Sequence, residues 1–159
     1  MEKLSVRLEK FSQEDFDGYY PDALQDFASS VSKARDMSAE EALKFARQAF
    51  DTLLPHGRVD TLDQYLSKIM VGGAQAGFLH FGIKRDKTKP YAFLWDVEVY
   101  PAYRGKGYGE LAMLALENKV KELGLSSIWL NVFGYNATAI HLYKKLGYQI
   151  SSMAMAKHL

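Results

Sequence analysis

In the first third of the 159-residue chain, apolar residues recur every three to four positions, the spacing of a helix with one buried face. Two such runs follow a serine that has an acid three residues later, Ser12-x-x-Asp15 and Ser38-x-x-Glu41, which is typical of a helix start. Pro21 lies inside the first run, where it would kink or restart the helix. We therefore predict a first strand at residues 4–10 and two helices that end before Pro55-His56-Gly57.

After residue 64 the pattern changes to short runs of β-branched and aromatic residues, interrupted by glycine turns and two helical runs. Strands are predicted at residues 65–71, 75–84, 91–99, 127–132 and 148–157, and helices at 107–123 and 136–146. The residues predicted to be buried in the first of these helices are Leu111, Leu114, Val120 and Leu123. The first two strands flank Gly72-Gly73 and form a hairpin. A hairpin followed by a β-α-β unit predicts an α/β fold with a mixed sheet and helices on its faces.

Composition excludes several classes of protein. The formal net charge is +1, so the overall balance does not indicate a nucleic acid or a membrane surface as partner. The sequence has no cysteine, which excludes disulfides, a thiolate nucleophile and thiolate metal sites, and which fits a cytoplasmic protein. No apolar run approaches the ~18 residues of a membrane span.

Charge is unevenly distributed along the chain. Residues 12–41 carry eight acids and two bases, whereas bases predominate from Pro101 onward. These runs fit two solvated helical surfaces. They also fit an acidic side for a cationic acceptor and a basic side for an anionic cofactor.

The segment Arg104-Gly105-Lys106-Gly107-Tyr108-Gly109 lies between a β-prone run and a predicted helix. Glycines allow close backbone approaches, and a helix start offers unpaired N–H groups and a positive end, so such a turn can hold a diphosphate. The spacing is not the Gly-x-Gly-x-x-Gly of dinucleotide-binding folds, and no Gly-Lys-Ser/Thr follows, which disfavours a nucleotide-binding domain. Taken alone, the segment also fits a plain surface turn that caps a helix.

This segment resembles the acyl-CoA-binding motif of the GNAT superfamily of N-acyltransferases, Arg/Gln-x-x-Gly-x-Gly/Ala, with Arg104, Gly107 and Gly109 at the matching positions. A second segment is similar to the family pattern Asn-x-x-Ala-x-x-x-Tyr-x-x-x-Gly-Phe/Tyr. Its matching residues are Asn136, Ala139, Tyr143, Gly147 and Tyr148. The two patterns occur in the family's order, and the resemblance covers roughly residues 65–157. It implies a GNAT-like mixed, mostly antiparallel sheet with a β-α-β acyl-CoA-binding core.

The resemblance also implies an acetyl-CoA cosubstrate, no metal, and an amine acceptor. The residues implied to contact the cosubstrate are Val97, Val99, Arg104, Gly105, Lys106, Gly107, Tyr108, Gly109, Asn131, Asn136, Ala139 and Tyr143. In the family, a backbone N–H that matches Val97 or Val99 polarises the thioester carbonyl where two parallel strands splay apart. Tyr143 is the implied catalytic residue, a general acid beside the sulfur. Two simpler roles stay open, a half-buried packing tyrosine for Tyr143 and a helix N-cap for Asn136.

The general base is the least defined part of the predicted site. Alternation along the strand at 91–99 places Asp96 and Glu98 on one face and Phe93 and Trp95 on the other. Family members that take their base from this strand use positions matching Tyr91, Phe93 or Trp95, and none of these side chains is a base at neutral pH. Three options stay open: a local bulge that turns Asp96 or Glu98 inward, a water chain to a remote carboxylate, or an amine that arrives deprotonated.

We predict a single domain over residues 1–159, with an acceptor-side strand and helices in 1–64 and a cofactor-binding core in 65–157. The predicted function is an N-acetyltransferase that moves an acetyl group from acetyl-CoA to a primary amine by direct attack in a ternary complex. A non-catalytic CoA-binding or sensing module on the same fold is the alternative. The predicted location is the cytoplasm, with no nucleic-acid or membrane partner. A homodimer, the identity of the acceptor and the acyl-chain specificity stay open.

Overall fold

The computed structural model describes residues 4–86 and 88–159. The elements are β1 Arg7–Lys10, α1 Gln13–Arg35, α2 Ala39–Leu53, a 3₁₀ turn Pro55–Gly57, β2 Gln64–Val71, β3 Ala74–Lys84, β4 Tyr91–Val99, a 3₁₀ turn Pro101–Tyr103, α3 Tyr108–Glu122, β5 Ile128–Leu130 and α4 Ala137–Lys145. Every helix and strand predicted before residue 147 is therefore present, with its ends shifted by a few residues. No helix within the described ranges is long and apolar enough to cross a membrane.

Serine caps start both N-terminal helices. Ser12 Oγ accepts the Asp15 N–H at 3.1 Å, and the Asp15 carboxylate accepts the Ser12 N–H at 2.8 Å. Ser38 and Glu41 repeat this exchange at 3.2 and 3.0 Å. α1 continues through Pro21. The two helices pack on each other through Leu24, Ala28, Ala42 and Ala46, whose mostly small side chains let the helices approach closely.

The sheet has the order β1-β2-β3-β4-β5, in which β4 and β5 are parallel and the other neighbours are antiparallel. On one face, α1 packs on Leu66 and Phe78. On the other face, α3 and α4 pack on Ile69, Leu79 and Phe81. This arrangement confirms a mixed, mostly antiparallel sheet with helices on both faces. The division of the chain at residue 64 stays a prediction.

Two irregularities of β4 determine where a site can form. His80 of β3 lies opposite Asp96, whereas Phe81 lies opposite Leu94, so Trp95 is an extra residue in a β-bulge. β5 pairs with residues 92–94 of β4 and ends at Leu130. β4 therefore continues for five residues without β5 beside it, and the two parallel strands leave a gap there.

The predicted strand at residues 148–157 is wrong. This segment has no regular structure, and every residue from 149 to 159 is exposed. Alternating apolar residues form a strand only where another strand offers an edge and apolar surface becomes buried. Met153 and Met155 are 69% and 90% exposed, so they contribute almost no such burial.

The predicted buried face of α3 is partly wrong. Leu114 is 40% exposed, and the buried residues of this helix are Ala112, Met113, Leu116 and Val120. The helix is rotated relative to the leucine pattern, so that Ala112 and Met113 rather than Leu114 face the core. A Cβ built at Gly109 would lie 3.9 Å from Val99, which shows how closely the start of α3 approaches β4.

Candidate active site

Two backbone N–H groups of β4 face the gap left by β5. The Tyr100 N–H donates to the Ala76 carbonyl at 2.7 Å, so the opposed residues Val99 and Gly77 form a pair without mutual hydrogen bonds. The N–H of Val99 consequently points away from β3, and alternation directs the N–H of Val97 the same way. β5 does not extend to this part of β4, so the Val99 N–H points to where a polarised carbonyl oxygen could bind, whereas the Val97 N–H donates to the Asp96 carboxylate.

The glycine-rich turn leads from this end of β4 into α3. Gly105 and Gly107 have φ values of +74° and +84°, a region that L side chains rarely adopt. No heavy atom lies within 4 Å of a Cβ built at either glycine, so backbone conformation rather than crowding favours glycine there. Gly107 is the N-cap of α3 and has no capping side chain. The first N–H groups of α3 have no intrahelical acceptor, and together with the positive helix end they fit an anionic group such as a diphosphate.

The cationic side chains of this turn lie at different places. The Arg104 Nε donates to the Val99 carbonyl at 2.8 Å, and its Nη2 lies 3.5 Å from Glu98 Oε1. Arg104 therefore holds the turn against the end of β4 and partly neutralises Glu98. Lys106 is exposed at the tip of the turn. Tyr108 packs edge-on against Tyr103 with a ring-centroid distance of 6.2 Å.

The second motif segment begins at Asn136. Its Oδ1 accepts the Ala139 N–H at 3.2 Å, so Asn136 is the N-cap of α4. Ala139 is half-buried, whereas Asn131, just beyond the end of β5, is exposed. The cap leaves the Asn136 side-chain NH₂ group as a donor for a ligand.

α4 lies across the start of α3. A Cβ built at Gly109 would be 3.5 Å from Leu142, and the Lys145 Nζ lies 2.7 Å from the Glu110 carboxylate. The two motif segments, separate in the sequence, are therefore neighbours in the fold. This contact places the glycine turn and Tyr143 on the same side of the sheet.

Tyr143 is half-buried among the apolar residues of α3, α4 and the sheet, and its ring lies 5.8 Å from that of Tyr148. Burial, and secondarily the charge of Asp96, raise the pKa of the Tyr143 hydroxyl above its usual value. The hydroxyl is therefore protonated at neutral pH, as a general acid must be.

Asp96 follows the bulge and lies on the α1 face of the sheet. Its Oδ2 is 3.5 Å from the Tyr19 hydroxyl of α1, which donates to it. Burial raises the pKa of Asp96 to about 6, and Glu98 adds to this rise, while hydrogen bonds from the Val97 N–H and from Tyr19 oppose it. The side chain is nevertheless partly accessible. A carboxylate that is accessible and has a pKa near neutrality is suited to act as a general base.

Glu98 lies further along the same face and is half-buried. Burial raises its pKa, as do the charges of Asp26 and Asp22 on α1, and Arg104 opposes the rise. The bulge thus brings both Asp96 and Glu98 to the side of the sheet covered by α1. Of the three options for the general base that the sequence left open, the structure contains the local bulge in β4.

A cavity of about 440 Å³ lies between α1 and this face of β4. Its wall contains the aromatic side chains Tyr19, Phe78 and Tyr100 and the carboxylates Asp22, Asp26 and Glu98. Sequence reasoning did not identify Tyr19, because its partner Asp96 lies 77 residues away in the chain. No local pattern could have found this contact.

His80 lies beside the site without a catalytic contact. Its side chain is 2% exposed, and its Nε2 lies 2.8 Å from Gln64 Oε1. Burial lowers the pKa of His80 to about 3, so its imidazole is neutral and serves the packing of β3. The described residues contain no group of three or more His, Asp or Glu side chains that could hold a metal ion.

Comparison with known proteins identifies the family. The model of the acetyltransferase (GNAT) family matches residues 22–148. This chain belongs to that family. It is 31% identical over 157 residues to the uncharacterized N-acetyltransferase YdgE of Bacillus subtilis (strain 168), an alignment that covers 98% of this chain and 99% of YdgE. The prediction of an acetyl-CoA-dependent acyltransferase class is therefore confirmed at the level of the family, and nothing supports the non-catalytic alternative.

Solved structures agree with this assignment. The crystal structure of the putative acetyltransferase YycN from Bacillus subtilis superposes with a TM-score of 0.91, at 29% identity over 98% of this chain and 99% of that chain. The aminoglycoside N-acetyltransferase AAC(6')-Iy in complex with CoA superposes with a TM-score of 0.60 at 12% identity, over 99% of this chain and 97% of that chain. The second likeness shows the fold alone. Both confirm the predicted GNAT-like architecture.

Proposed function

We propose that this N-acetyltransferase transfers the acetyl group of acetyl-CoA directly to a primary amine, with Asp96 as general base and Tyr143 as general acid. The observation that carries the proposal is the gap beside β4. The Val99 N–H faces this gap, Asp96 follows the bulge on the same stretch of β4, and Tyr143 packs on the apolar cluster against which Val97 also packs. An acid, a base and an oxyanion donor around one space are what aminolysis of a thioester requires.

The residues of the chain divide the chemical work. When bound, acetyl-CoA supplies the thioester carbonyl and the thiolate leaving group. Asp96 takes a proton from the acceptor ammonium, and the freed amine forms its bond to the acetyl carbon as the bond from that carbon to sulfur breaks. The Val99 N–H stabilises the negative oxygen, and Tyr143 donates its proton to the departing sulfur. The second proton of the attacking nitrogen passes through water to the tyrosinate and so restores Tyr143.

The same proposal assigns the cosubstrate contacts. The N–H groups at Gly105, Gly107 and the start of α3 hold the diphosphate, and Lys106 adds a positive charge. The remaining contacts are assigned to Val97, Val99, Arg104, Tyr108, Gly109, Asn131, Asn136 and Ala139. The open backbone and positive φ values of the turn support this placement, because a larger residue would have no favourable conformation there.

Release of CoA thiol tests the proposal. Purified protein is incubated with acetyl-CoA and a panel of primary amines, and the thiol is detected with a thiol-reactive dye, to which a sequence without cysteine contributes no background. Calorimetric titration with acetyl-CoA is run in parallel. We expect saturable binding at one site and thiol release that depends on the amine. A folded protein that binds no acetyl-CoA would refute the proposed site.

A further inference from the structure

We propose that the acceptor carries a second positive charge beyond its reacting amine, and that the cavity between α1 and β4 holds this charge near Asp22 and Asp26. The inference rests on the proposed function, because it assigns the cavity beside Asp96 to the acceptor. It goes beyond that function by naming the chemical class of the acceptor, a diamine or larger polycation.

The shape of the cavity is the first argument. Its volume of about 440 Å³ is enough for a small molecule rather than for a single ammonium group. Its wall includes Tyr19, whose hydroxyl contacts Asp96, and Glu98, which lies beyond Asp96 on the same face of β4, so the cavity adjoins the proposed base. A molecule with its amine at Asp96 would therefore place the rest of its length within this cavity.

The distribution of carboxylates is the second argument. Asp22 and Asp26 are one helical turn apart on α1 and both are exposed at the mouth, while Glu98 on the opposite wall is half-buried. Arg104 offsets part of the charge of Glu98. Across residues 4–86 and 88–159, no cationic side chain lies within 4.0 Å of Asp22 or Asp26. Asp22 and Asp26 thus have no ion-pair partner among the described residues.

The aromatic walls are the third argument. Tyr19 and Phe78 meet edge to face at a ring-centroid distance of 4.6 Å, and Tyr100 lies 6.3 Å from Phe78. Such walls suit the methylene groups between two amines and attract a cation over their ring faces. A neutral or anionic acceptor would leave the carboxylates at the mouth without a partner.

Three matched amines test the inference. 1,4-Diaminobutane, pentylamine and 5-aminopentanoate share a primary amine and a four-carbon chain and differ in their far end, which is cationic, apolar or anionic. We expect kcat/KM for the diamine to exceed that for pentylamine about tenfold, since its far ammonium pairs with two exposed carboxylates. The preference should shrink as ionic strength rises, and 5-aminopentanoate should be the poorest acceptor.

Paired variants identify the residues. At pH 8, where Asp96 is ionised in either form of the protein, the double variant Asp22→Asn/Asp26→Asn should lose most of the preference for the diamine over pentylamine while its affinity for acetyl-CoA stays unchanged. The control Asp17→Asn/Asp51→Asn alters net charge equally, but Asp17 and Asp51 line a different groove, so the preference should persist. All four carboxylates are exposed, and their loss should not disturb folding.

Two outcomes would overturn the inference: equal kcat/KM for diamine and pentylamine, or a preference that the Asp22→Asn/Asp26→Asn variant retains. Failure of the proposed function looks different, because no amine would then release CoA. In that case, calorimetric binding of the diamine and of pentylamine to CoA-saturated protein decides whether a second positive charge on the ligand strengthens its binding. Tighter binding of the diamine that Asp22→Asn/Asp26→Asn abolishes would support the inference, and equal binding would refute it.

Discussion

The two sides of β4 carry groups of opposite charge around the same gap. On the side of α3 and α4 the gap meets backbone N–H groups, a positive helix end and Lys106. On the side of α1 it meets Asp96 and Glu98, with further carboxylates at the mouth of the cavity. One short stretch of strand thus separates a side suited to an anion from a side suited to a cation. The difference shows how a fold can hold an anionic cosubstrate and a cationic acceptor in contact while keeping their charged ends apart.

Replacement of Asp96 tests the acceptor side with the largest expected effect. Asp96→Asn removes the base while keeping the shape of the side chain, so kcat/KM should fall by about 10²–10⁴ at pH 7. Because a base must be ionised and the pKa of Asp96 is raised to about 6, wild-type activity should rise with pH through about 6. The variant should lack this rise. The measurement is kcat/KM for CoA release between pH 5 and 8.

Glu98→Gln is the matched control for this experiment, because Glu98 lies on the same face and is paired with Arg104. It should retain the rise in activity, moved to lower pH because the charge of Glu98 contributes to the raised pKa of Asp96. Full activity of Asp96→Asn, or loss of the pH-dependent rise in Glu98→Gln, would show that Asp96 is not the base.

Replacement of Tyr143 tests the cosubstrate side. Tyr143→Phe keeps the ring that packs near Tyr148 and removes the proton, so kcat should fall by about 10²–10³ without a change in acetyl-CoA affinity. Steady-state kinetics and calorimetry separate these two quantities. Tyr148→Phe, which removes a hydroxyl from the adjacent ring, should retain kcat near the wild-type value. Equal losses in the two variants would indicate that the rings have only a packing role.

The two sides also differ in how well the sequence predicts them. Residues 104–109 and 136–148 contain the cosubstrate side almost completely, because a glycine turn and a capped helix are local structures set by neighbouring residues. The acceptor side depends on contacts between distant segments. Tyr19 meets Asp96 across 77 residues, and the bulge at Trp95 depends on the pairing of β4 with β3. Neither leaves a periodic signal in the sequence. The prediction of a strand in the C-terminal segment is wrong for the same reason, since a strand needs a neighbouring strand that the sequence does not specify.

Gly107→Val tests the glycine turn. Valine is strained at a φ of +84°, so the turn should rearrange and acetyl-CoA binding should weaken tenfold or more, together with a loss of about 1–2 kcal/mol in the free energy of unfolding. Gly124→Val is the control, because Gly124 has a φ of +78° with open space around it but lies at the other end of α3. Both variants should lose stability in chemical denaturation, and only the first should lose affinity. Equal affinities would show that the turn does not hold the cosubstrate.

Tyr19→Phe gives the smallest expected effect and connects the two sides most directly. The hydroxyl of Tyr19 donates to Asp96 and lowers its pKa, so its removal should raise that pKa above about 6 and shift the rise in kcat/KM to higher pH by a fraction of a unit. The ring should stay in place, because it packs edge to face on Phe11 and Phe78. Tyr100→Phe is the control, since Tyr100 lines the same cavity but its hydroxyl accepts from Gln75 at 3.0 Å. A shift in Tyr19→Phe alone would show that α1 sets the pKa of the base as well as covering the sheet. Identical pH profiles would show that Tyr19 only lines the acceptor cavity.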